Sequence, residues 1–147
     1  MRTLLVAALF AMSLPAAADE PRLPLNPAYK AECGSCHVPY PPKRLPAASW
    51  QQLMARLDRH FGSDASLDAK AQDEISRYLA ANAGRRDAPP GAEPRITETR
   101  WFRKEHDKEV PAALWKSAAV KSAANCAACH TRADDGDYSE RTLRLPK

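Results

Sequence analysis

A mainly α fold of two small units, each completed by a cofactor, follows from three features of the sequence. Apolar spacing is helical where it is regular, and no alternating run of Val, Ile or Thr marks a strand. Two short motifs of one form stand far apart, at Cys33–His37 and Cys126–His130. Between them, Asp87–Pro94 holds three prolines and a glycine and is the one obvious linker. The expected units are therefore residues 19–87 and 95–147, joined by 88–94. A length of 147 residues allows one domain, or two very small ones sharing a core. Apolar residues make up 44% and charged residues 27%, which excludes wholesale disorder and a polytopic membrane protein. Thirteen prolines and only 7% aromatics leave modest core material, so something other than side chains is expected to fill it.

Residues 1–18 read as a signal peptide. Arg2 supplies the positive start, Leu4–Leu14 an uncharged apolar run, and Ala16-Ala17-Ala18 the small residues before a cleavage site. A retained anchor would need roughly 20 apolar residues, more than this run offers. The mature chain of 129 residues carries +3, since only Arg2 is lost from a formal charge of +4. That is too mild for a nucleic-acid binder, which shows a dense basic stripe. The mixed charges of Arg100–Glu109 read as a solvated helix face, and Asp134, Asp135 and Asp137 as a surface loop.

Asn26-Pro27 supplies an N-cap and a first-turn proline for a helix running into Cys33. Val38-Pro39-Tyr40-Pro41-Pro42 cannot be helical and is expected to wrap as irregular chain. Ser49-Trp50-Gln51-Gln52 fits a capping box opening a second helix through about His60, ended by Phe61-Gly62. Leu67, Ala71, Ile75, Tyr78 and Leu79 share a face of a third helix, about Leu67 to Ala83, with Gly84 as its cap. Beyond the linker, Trp101, Phe102 and His106 fall on a short helix that Pro111 stops, and Ser122 is placed to cap a helix carrying Cys126.

Cys33-Gly34-Ser35-Cys36-His37 and Cys126-Ala127-Ala128-Cys129-His130 use all four cysteines, and each ends in histidine. C-x-x-C-H is the attachment motif of c-type heme. Two thiols add across the two vinyl groups, and the next residue reaches the iron on the same face. Four thiolates around a zinc, two disulfides, or a thioredoxin-like redox pair also accommodate C-x-x-C. None of these calls for a histidine after both motifs. The cofactor expectation is two heme c, attached through Cys33, Cys36, Cys126 and Cys129.

Only His60 and His106 remain, and a six-coordinate heme iron needs one distal ligand. His60 lies 23 positions after His37, and His106 lies 24 before His130. The near-mirror spacing predicts local pairs, His37 with His60 on the first iron and His106 with His130 on the second. Methionine is the other strong-field ligand. Met54, the one methionine of the mature chain, shares a helical face with Trp50, Leu53 and Leu57 and is assigned to the core.

The ordered set of neighbouring words resembles the small periplasmic diheme cytochrome c family over nearly the whole mature chain. It comprises Glu32-Cys33-Gly34-Ser35-Cys36-His37, Tyr40-Pro41-Pro42, Leu45-Pro46, Ser49-Trp50 and His60-Phe61-Gly62. Arg95-Ile96, Trp101-Phe102 with His106, and Ser122-Ala123-Ala124-Asn125 complete it. The resemblance implies two heme-centred domains, the first a variant of the class I cytochrome c fold, and bis-histidine hemes. It also implies electron donation to a monoheme oxygen-binding c-type cytochrome; the reading that follows is a periplasmic relay of single electrons from a quinol-linked donor to a terminal heme protein. With two ferric hemes and four propionates added, net charge falls to about +1, so docking is expected to rest on local patches. The alternative is a small diheme enzyme, peroxidase-like or oxidising sulfur compounds, with one displaceable distal ligand. A colourless zinc module is a third reading.

Overall fold

Asn26 opens the first helix as its sequence requires, its side chain accepting the Tyr29 N–H at 2.9 Å with Pro27 in the first turn. The computed structural model describes residues 24–85, 88–89 and 93–146. The expected signal peptide and residues 86–87 and 90–92 around the linker lie outside them. Among the described residues the chain is helical without strands. Five α-helices are α1 Pro27–Cys33, α2 Ala47–Met54, α3 Ala69–Ala81, α4 Arg100–His106 and α5 Ala112–Trp115, with 3-10 turns between and after them.

α1, α2 and α3 enclose the core of Tyr29, Leu45, Trp50, Met54, Ile75 and Leu79. Leu45 and Ile75 are fully buried, and burial of each such side chain stabilises the fold by about 1.5–3 kcal/mol. Polar ties fix the packing: Asn26 Nδ2 donates to Glu74 at 3.0 Å and Gln72 Nε2 to the Met54 carbonyl at 2.9 Å. The proline strap after the first motif is tied down by Tyr29 Oη donating to the Tyr40 carbonyl and Trp50 Nε1 to that of Pro42, both at 2.7 Å.

α2 begins two residues before the expected cap. Ser49 lies inside the helix and is buried, and Pro46 holds the N-cap position. The helix also stops early, at Met54. His60 therefore follows a 3-10 turn, Leu57–Arg59, rather than sitting in a last α-turn. Phe61 and Gly62 both have positive φ, 51° and 94°, and Ser63 N–H returns to the His60 carbonyl at 3.0 Å, the pattern of a type I′ turn. Asp68 caps α3, accepting from the Lys70 and Ala71 N–H groups, and Asn82 rather than Gly84 closes it. Gly84 serves another purpose: its N–H donates to the Leu45 carbonyl, and a side chain there would collide with the Lys43 carbonyl.

In the second half, Thr99 caps α4 by accepting the Phe102 N–H. α4 ends at His106, short of Pro111, which is instead the N-cap residue of α5. Ser122 caps no helix. Its hydroxyl accepts the Ala124 N–H, and the second motif is wound as a 3-10 turn, Cys126–Ala128. The tail folds back on that motif, with Arg144 N–H donating to the Cys129 carbonyl at 2.8 Å.

Candidate heme centres

The chain folds His37 and His60 to ring centroids 6.3 Å apart and His106 and His130 to 6.2 Å. An iron between two imidazoles, at bonds of about 2 Å and with each nitrogen about 1.1 Å from its ring centre, sets this same spacing, ~6.2 Å. The two pairs are the local ones expected from spacing. They differ in orientation: the ring planes lie 21° apart in the first pair and 73° in the second.

Backbone carbonyls fix one imidazole of each pair. His37 Nδ1 bonds the Val38 carbonyl and His106 Nδ1 that of Phe102, both at 2.8 Å. A carbonyl only accepts, so Nδ1 carries the proton and Nε2 keeps the lone pair that a metal needs. His60 and His130 have buried Nδ1 atoms without a partner. Burial holds both rings below the usual histidine pKa, the facing histidine adds to the shift, and both effects favour the neutral, ligating form.

No disulfide joins any of the four cysteines. Burial pushes Cys33 and Cys126 up to about 11, which favours the protonated form at neutral pH. Among the described residues no three His, Cys, Asp or Glu side chains gather to hold a bare metal ion. A porphyrin iron asks for only two protein donors, and two facing imidazoles are what each site provides. A cleft of about 570 Å³ is lined by Cys36, His37 and Tyr40 from the first half and Ala124, Cys126 and Ala127 from the second. Near His130, the Tyr138 and Ser139 hydroxyls are buried without partners, as suits a cofactor bearing carboxylates. The residues fit two c-type hemes.

Several contacts escaped the sequence reading. Tyr40 stacks on His37, centroids 4.7 Å apart, and its hydroxyl donates to the Ala124 carbonyl at 2.9 Å, tying the first motif to the approach of the second. The Arg44 guanidinium lies 3.9 Å over the Trp101 ring, and Arg95 4.1 Å over Phe61. The position of Tyr40 three residues beyond His37 was the available signal. Nothing in the sequence marks Arg44. Phe102 stacks on His106 at 4.1 Å, with Trp101 and Trp115 both near 6 Å.

The sequence profile of the family described as dihaem cytochrome c matches residues 29–138. The fold is similar to the crystal structure of DHC purified from Rhodobacter sphaeroides, with 44% identity and a TM-score of 0.67 over 77% of this chain and 96% of that one. It is also similar to the diheme cytochrome type c of Shewanella baltica OS155, with 38% identity and a TM-score of 0.73 over 84% of this chain and 95% of that one. Curated proteins offer no match. With the profile spanning most of the chain and the matched structures covered almost end to end, this chain belongs to the dihaem cytochrome c family, electron-transfer proteins with two c-type hemes.

Proposed function

We propose that the chain is an exported, periplasmic carrier whose two hemes are attached through Cys33 and Cys36, and through Cys126 and Cys129. His37 and His60 ligate the first iron, and His106 and His130 the second. The observation that carries this reading is the pairing of imidazoles at 6.2–6.3 Å. A filled sixth position leaves no site for a substrate, which favours single-electron transfer over catalysis. Heme supplies the one-electron couple, and the chain holds each iron closed in a largely apolar setting. Two imidazoles lack the potential-raising effect of a methionine ligand, so both potentials are low. Such a carrier suits a quinol-linked donor and a more oxidising heme acceptor, for instance a monoheme oxygen-binding c-type cytochrome. The leader-like residues 1–18 support export, and among the described residues no helix is long and apolar enough to cross a membrane. The test is to mix the reduced holoprotein with carbon monoxide. No rapid uptake is expected; stoichiometric binding within the mixing time would move the diheme enzyme reading to first place.

A further inference from the structure

The four imidazoles differ in what holds them apart from iron. His37 follows a cysteine of its motif, bonds the Val38 carbonyl through Nδ1 and carries Tyr40 stacked on its ring. His130 has a buried Nδ1 without a partner, but it follows a motif cysteine and its backbone N–H is pinned to the Cys126 carbonyl at 2.8 Å. His106 has no adjacent cysteine, but it ends α4, bonds the Phe102 carbonyl through Nδ1 and packs on the Phe102 ring. His60 is the least supported: its ring meets only the edge of Phe61, at 4.8 Å. No cysteine neighbours it in sequence, its Nδ1 is buried without a partner, and it follows a 3-10 turn. The next residue, Phe61, holds a left-handed φ of 51° that a β-carbon disfavours. A groove lined by Gln52, Arg56, Arg59, Glu93 and Pro94 reaches this histidine.

We propose that the first heme, on its His60 side, is the exchangeable coordination position of this protein. It is closed at rest and slowly opened to small neutral ligands of the carbon monoxide class. The inference rests on the ligand assignment above. In the exchange His60 would leave as a neutral lone-pair donor and carbon monoxide would take its place as another. Iron stays ferrous, and no proton or electron leaves. An Nδ1 hydrogen bond holds a ligating ring and raises its basicity, and loss of such support costs about 10- to 100-fold in metal binding. Of the two ligands with no neighbouring cysteine to tether them, His60 should accordingly leave its iron about 10- to 100-fold faster than His106, whose Nδ1 is bonded.

The experiment follows slow carbon monoxide uptake by the reduced holoprotein in the visible band. Wild type, His60→Gly and His106→Gly are compared. Wild type should take up one equivalent slowly, at a rate independent of carbon monoxide concentration because departure of His60 sets it. His106→Gly should show a fast phase followed by that same slow phase. His60→Gly should show the fast phase with the wild-type slow phase gone. Survival of the slow phase in His60→Gly, equal rates at both hemes, or no wild-type uptake at all would overturn the proposal. A His60→Gly protein whose two hemes stay entirely low-spin would overturn the ligand assignment, and the proposal with it. Should a glycine variant not fold, ferric wild type titrated with guanidinium and read by electron paramagnetic resonance decides the order. The low-spin signal of the near-parallel pair should give way to a high-spin one first; the reverse order overturns the proposal.

Discussion

The two heme centres present the same imidazole spacing on very different scaffolds. Around the first, α1, α2 and α3 enclose a contiguous cluster of apolar side chains. Around the second, α4 has seven residues, α5 has four, and the rest is turns of three. The buried apolar residues there, Phe102, Val110, Val120, Cys129 and Ala133, fall outside that cluster, and Ile96 leans on the core of the first half. On the proposed attachment, the first heme would dock on a scaffold, whereas the second would supply the core of its half. The same attachment chemistry would then carry unequal structural weight.

The largest expected effect breaks this comparison at the second heme. Changing Cys126 and Cys129 to Ser should leave residues beyond about 95 open to proteolysis while the first half stays protected. Protection of Ile96–Pro146 without heme would show that the second half has a sufficient core of its own. A smaller effect sharpens the other side. Trp50 is buried against the core and donates from Nε1 to the Pro42 carbonyl. Trp50→Ala should cost about 3–5 kcal/mol in chemical denaturation of the holoprotein by cavity formation and loss of that bond. A cost below about 1 kcal/mol would mean that the heme, not the helical cluster, holds the first half as well.

Where local chemistry decides structure, the sequence was legible. Asn26-Pro27 set α1, the spacing of Ile75 and Leu79 set α3, and the two motifs with the spare histidines marked both centres. The errors fall where tertiary contact overrides local preference. Ser49 carries a capping signature, but α2 starts at Ala47 and buries Ser49. Ser122 reads as a cap as well, but its hydroxyl accepts the Ala124 N–H in a local turn, and Cys126–Ala128 close into a 3-10 turn. The position of His60 was misjudged for a third reason. Gly62 announces a turn, but phenylalanine gives no signal for the positive φ that Phe61 adopts.

The central claim is that each iron is closed by its own local pair of imidazoles. Electron paramagnetic resonance of the ferric holoprotein tests it most directly, because ring orientation governs how far the imidazole π orbitals split the iron d orbitals. With planes 21° apart at one centre and 73° at the other, the account predicts two low-spin signals in equal amounts. The near-parallel pair should give the more rhombic signal and the near-perpendicular pair the more anisotropic one. A high-spin signal integrating to a whole heme, or two indistinguishable low-spin signals, would contradict it.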